Sequence, residues 1–158
     1  MKVARVSIIA AAVLAVATMA FAQKPDFSGT WTLDPEASGM PAGGGGGGGG
    51  GRGGGGLGQA ATVKQSGDTL TVERTFGDNK ITSNYKLDGS ESKNTMMGRG
   101  GEQMESVSTA KWDGNKLTIT TKVGENTNTQ VWSLAGNVLT VETTNARGTQ
   151  KRVYKKTT

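Results

Sequence analysis

The sequence predicts an all-β protein: a single antiparallel up-and-down barrel of about ten strands, preceded by a removable leader. Three observations carry this reading. Thr and Val are plentiful while apolar residues show no helical spacing. One turn pattern recurs three times, as Ser66-Gly67-Asp68-Thr69-Leu70, Asp113-Gly114-Asn115-Lys116-Leu117 and Ala135-Gly136-Asn137-Val138-Leu139. When each Gly-Asn or Gly-Asp pair is taken as a two-residue hairpin loop, nearly all flanking apolar residues fall on one face.

Residues 1–22 have the form of a secretory leader. Met1-Lys2-Val3-Ala4-Arg5 is a short basic start, Val6 to Ala17 is almost wholly Ala, Val, Ile and Leu, and Ala20-Phe21-Ala22 fits a small-x-small cleavage site. The apolar run is shorter than the ~20 residues of a comfortable membrane span. No second such stretch follows, so the mature chain is expected to begin at Gln23, to span no membrane and to be periplasmic or extracellular. Residues 23–158 then form one barrel domain.

The first strand is 29–34. Between it and the second, residues 39–58 hold fifteen of the 26 glycines, with an unbroken run from Gly43 to Gly51. Such a tract buries no apolar side chain and loses much entropy on ordering, so a flexible loop is expected. The remaining strands read as 60–65, 69–75, 80–87, 93–97, 105–112, 116–123, 127–134, 138–145 and 149–155. The turns predict their register: Val63 opposite Val72, Gln65 opposite Leu70, Ala110 opposite Ile119, Trp112 opposite Leu117, Trp132 opposite Val141 and Leu134 opposite Leu139. A meander of this count puts the three repeated turns and Asp88-Gly89 at one end. The Gly tract and the four remaining connections fall at the other.

Along the predicted inner face, polarity rises from one end to the other. Leu70, Val72, Trp112, Leu117, Ile119, Trp132, Leu139 and Val141 lie near the tight turns; Arg74, Ser83, Ser108, Thr121, Asn128, Gln130 and Thr143 lie farther along. A small antiparallel barrel of this pattern either holds a ligand chamber at its polar end or is filled by side chains throughout.

Composition excludes several functions. The chain has no His and no Cys, which removes Ser-His-Asp and Cys-His catalysis, disulfides, and zinc sites built on imidazole or thiolate. Most carboxylates (Asp68, Asp78, Asp88, Asp113 and Glu125) sit in predicted turns, and Glu73 and Glu142 face outward, so no acid–base pair converges and no enzyme is expected. Met96, Met97 and Met104 flank Gly98-Arg99-Gly100-Gly101. Three thioethers alone are a thin donor set for Cu(I), so no metal and no cofactor are expected. The formal net charge is +5, and the leader carries two of those charges, Lys2 and Arg5. The one basic cluster, Lys151, Arg152, Lys155 and Lys156, is split over two strand faces, so no nucleic-acid surface is expected.

The first strand also holds Ser28-Gly29-Thr30-Trp31. This opening resembles the G-x-W of the calycins, the lipocalin and fatty-acid-binding group of barrels. With its repeated Gly-Asn/Asp hairpins, the chain resembles the small secreted lipocalin-like proteins of bacteria across most of 26–156. The resemblance implies a structural role for Gly29 and Trp31, with a late-strand arginine, Arg152, packed over the indole. It departs from fatty-acid-binding proteins in lacking a helical lid, where the Gly tract stands instead. The expected function is non-catalytic binding of a small amphipathic or anionic molecule. Arg74, Asn128 and Gln130 would take its polar head, and Trp112 and Trp132 its apolar part. The alternative is a structural or interaction module of the cell envelope with a filled barrel and no ligand.

Overall fold

The computed structural model describes residues 24–40, 56–76, 79–97 and 102–157. The predicted leader and most of the Gly tract lie outside the described residues. Ten strands form one sheet: β1 (Gly29–Asp34), β2 (Ala60–Ser66), β3 (Thr69–Phe76), β4 (Asn79–Lys86), β5 (Glu91–Met97), β6 (Gln103–Asp113), β7 (Lys116–Val123), β8 (Asn126–Ala135), β9 (Val138–Asn145) and β10 (Gly148–Thr157). Every pairing is antiparallel, in the spatial order β4-β3-β2-β1-β10-β9-β8-β7-β6-β5. No helix of the described residues is long and apolar enough to cross a membrane.

The hairpins follow from their turns. Gly67, Gly114 and Gly136 have φ of +54°, +59° and +59°, and no other residue type among those described has positive φ. This is the two-residue turn with glycine at its first central position, whose twist suits paired strands. All six predicted cross-strand pairs are present: Val63–Val72, Gln65–Leu70, Ala110–Ile119, Trp112–Leu117, Trp132–Val141 and Leu134–Leu139. Val63, Val72, Ala110, Ile119, Trp132 and Val141 are buried in one core cluster.

Closure is made between the chain's two ends, where Trp31 on β1 pairs with Lys156 on β10. The sheet's two edges, β4 and β5, meet without a backbone ladder. Side chains bridge them instead. The Asn94 amide accepts from the Asn84 N–H at 2.7 Å and donates to the Asn84 carbonyl at 2.9 Å, standing in for a strand. Ser92 Oγ accepts from the Lys86 N–H at 2.9 Å. The barrel thus has one seam zipped by side chains rather than by a backbone ladder.

The interior is graded as its pattern predicts. The tight-turn end is apolar, while Ser83, Ser108, Gln130 and Thr143 are buried beyond it. A segment ahead of β1 plugs the apolar end. Phe27 is fully buried, stacked on Trp112 at 5.8 Å and edge-on to Trp132 at 5.6 Å. Its N–H donates to Gln65 Oε1 at 3.1 Å, and its carbonyl accepts from Trp31 Nε1 at 2.9 Å.

Candidate functional site

The polar half of the interior gathers two cations and a phenol. Arg74 is the third inward residue of β3, after Leu70 and Val72, and lies across from Ala61 on β2 and Ile81 on β4. Arg152 and Tyr154 lie two apart on β10 and so share a face. Arg74 Nη2 donates to Ser83 Oγ at 3.1 Å, and Nη1 donates to the Gly56 carbonyl at 3.0 Å. Arg74 Nε is buried and has no hydrogen-bond partner. The Tyr154 hydroxyl accepts from the Leu57 N–H at 3.1 Å. Arg152 packs against Gly56 so closely that a Cβ there would sit 2.3 Å from Arg152 Nη1.

The electrostatics of this cluster are one-sided. Neither arginine forms an ion pair among the described residues, whose four salt bridges all involve lysines. No Asp or Glu among them is buried. Burial pushes the Tyr154 hydroxyl above the usual tyrosine value, partly offset by the nearby Arg152 charge and the Leu57 N–H. The phenol therefore keeps its proton at neutral pH. The cluster offers guanidinium and phenol donors and no fixed counter-charge, which is the chemistry of an oxyanion seat.

The residues read from the sequence as a binding set divide here. Arg74 points inward and joins the cluster. Trp112 and Trp132 lie at the apolar end, both against the Phe27 ring. Gln130 is buried, and its Oε1 accepts from Trp132 Nε1 at 3.0 Å, so it satisfies a core indole. Asn128 is half-buried on β8, opposite Thr121. The structural set also changes in one place. Gly29 and Trp31 lie on β1, Trp31 fully buried, and the cation over the Trp31 face is Lys156, 5.6 Å from the ring centroid. Arg152 turns to Gly56 and Tyr154 instead. Met96 and Met104 are cross-strand partners on β5 and β6, as packing of a hairpin requires.

Sequence reasoning missed Tyr154, Gly56 and Leu57. The first was within reach, since alternation puts Tyr154 on the face of Arg152. The other two were absorbed into a tract read as solvent-exposed. The seam between β4 and β5 holds a depression of about 540 Å³ bordered by Asn84, Tyr85, Lys86, Ser92 and Lys93. It is open to solvent and has both an acid, Glu91, and lysines at its rim, so it lacks the charge selectivity of the interior cluster.

No protein-family model and no curated protein matches the chain. Solved structures do match in shape. A protein described as the REP1-NXSQ fatty acid transporter superposes with a TM-score of 0.59 at 16% identity, over 83% of this chain and 96% of its own. The Schistosoma mansoni fatty acid binding protein in complex with arachidonic acid has a TM-score of 0.56 at 17% identity, over 84% and 96% of the two chains. Human cRBP IV has a TM-score of 0.55 at 19% identity, over 84% and 99%. At these identities the likeness is one of fold: the chain folds as a ten-stranded antiparallel barrel similar in shape to these proteins.

Proposed function

We propose that this protein is a non-catalytic carrier of a small amphipathic carboxylate, whose head group is held by Arg74, Arg152 and Tyr154. The observation that carries the reading is that two inward guanidiniums meet at Gly56 with no acid among the described residues to neutralise them. Both arginines are half-buried, and Arg74 Nε is buried without a partner, so a ligand carboxylate would supply acceptors that the cluster lacks. The likeness in shape to a fatty acid transporter and a fatty acid binding protein supports the same class. The reading is non-catalytic, and it is supported by the lack of a buried Asp or Glu among the described residues. The basic start, apolar run and small-x-small site of residues 1–22 support a place in the periplasm or the medium. No nucleic acid, cofactor or metal enters the reading.

Titration calorimetry with dodecanoate and with dodecan-1-ol tests this. The acid is expected to bind and the alcohol to bind far more weakly. Arg152→Ala should lower affinity for the acid by roughly 10–100-fold, the worth of one charged hydrogen bond. Equal binding of acid and alcohol, or no effect of Arg152→Ala, would refute the head-group assignment. A second reading, the envelope interaction module, is favoured by one feature: Gly56 and Leu57 already occupy the polar cluster, as a filled barrel requires. Absence of binding by either compound would favour it.

A further inference from the structure

The stretch just before β2 is built into the site rather than over it. Gly56 and Leu57 are both buried, and Leu57, at 2% exposure, belongs to the core cluster. Gly58 has a φ of +78°, the left-handed turn that sends Leu57 inward before the chain rejoins β1, where Leu33 N–H donates to the Gln59 carbonyl at 2.9 Å. The polar atoms of this inserted segment are spent on the cluster. The Gly56 carbonyl takes Arg74 Nη1, the Leu57 N–H takes the Tyr154 hydroxyl, and the Gly56 Cα abuts Arg152. A carbonyl dipole followed by an apolar side chain thus lies where an acid head followed by an alkyl chain would lie. Only glycine permits the approach, since any Cβ at this position would displace the Arg152 guanidinium.

We infer that Gly56–Leu57 is a built-in competitor. It occupies the Arg74–Arg152–Tyr154 seat when the barrel is empty, and an entering carboxylate replaces the Gly56 carbonyl and drives Leu57 out of the core. This rests on the carboxylate reading above. The substitution is favourable because one neutral carbonyl satisfies a single guanidinium N–H and leaves Arg74 Nε without a partner, whereas a carboxylate offers a full charge and two acceptor oxygens. The competition also gives the Arg74 guanidinium an acceptor in the absence of ligand. It reduces apparent affinity by the fraction of molecules in which the seat is taken.

Amide hydrogen exchange on the unaltered protein, read at Leu57 by NMR with and without saturating dodecanoate, tests the competitor directly. The Leu57 N–H is expected to be protected alone and to exchange at least tenfold faster with ligand bound. The variant Leu57→Ser, which loses the apolar anchor, should bind dodecanoate about tenfold or more tightly than the parent. Unchanged protection of Leu57 in the saturated complex, or unchanged affinity in Leu57→Ser, overturns the competitor while leaving the carboxylate reading intact. Failure of dodecanoate to bind both parent and variant overturns the two together. If Leu57→Ser does not fold, the exchange measurement on the parent decides alone.

Discussion

Gly29 shows how a short motif acts through geometry. Its φ of +143° lies where side chains are strained, and a Cβ there would meet Lys156 Cε at 2.4 Å. Lys156 can shift its flexible end, so the backbone strain decides the outcome. Gly29→Ala should cost about 1–3 kcal/mol, read as a lowered thermal midpoint, with Trp31 becoming less shielded as Lys156 moves off its ring. Phe27 is the reverse case, a residue outside any strand that closes the barrel. Phe27→Ala should cost about 3–5 kcal/mol and shift indole emission to the red, because Trp112 and Trp132 both lose a ring partner. Tyr154 is tied to pH. Its folded value is raised by burial, so the stability it contributes is full below the ordinary tyrosine value near pH 10 and is lost as pH rises through the folded value. A phenolate absorbance titration should show Tyr154 ionising above a free tyrosine, at the onset of alkaline unfolding.

The strands are specified by alternation and by their turns. Ile119 is 1% exposed, while its neighbour Thr118 faces the other way, partly exposed and opposite Lys111 and Val131. Ile119→Asp should therefore unfold the barrel at the growth temperature of an ordinary host, because an unpaired carboxylate in this core removes several kcal/mol, on the order of a domain's whole stability of about 5–15 kcal/mol. Thr118→Asp should shift the midpoint little. The seam behaves differently from the ladders. Asn94→Ala deletes both bridges to the Asn84 backbone, and the local cost is about 1–3 kcal/mol for groups left unpaired. Amide exchange at Asn84 and Lys86 should quicken, while β8 and β9 remain protected. Equal acceleration across all strands would mean that the seam opens only with the entire barrel.

Stability of the fold as a unit should fall in acid. Four carboxylates sit below their ordinary values: Asp26 and Asp88 mainly by hydrogen bonds from Ser28 and Ser90, Asp34 and Glu73 mainly by Lys155 and Lys80. A lowered folded value means the native state binds fewer protons than the unfolded chain. The contribution is therefore present above the ordinary carboxylate range near pH 4 and is lost as pH falls through the folded values. Thermal midpoints should be level near neutrality and decline below about pH 4. These groups are on the surface, so added salt should weaken the Asp34–Lys155 and Glu73–Lys80 contributions.

Much of this architecture is legible in the chain itself. Three glycine turns set three hairpins, and the period of two then decides which side of each strand is apolar. That is why six cross-strand pairs and the graded interior follow from residue order. Alternation says which face a residue occupies but not what it meets across the barrel. Arg74 and Arg152 are far apart in the chain and reach one another's surroundings only once β1 pairs with β10. The same closure brings Lys156, rather than Arg152, onto Trp31. Phe27 and Leu57 obey no period, and although Ser92 and Asn94 alternate along β5, their partners across the seam do not follow from that alternation, since a plug, an inserted turn and an amide bridge are chosen by the space that closure leaves. Local pattern is a property of neighbours in sequence; the composition of the Arg74–Arg152–Tyr154 cluster is a property of which strands the closed sheet brings face to face.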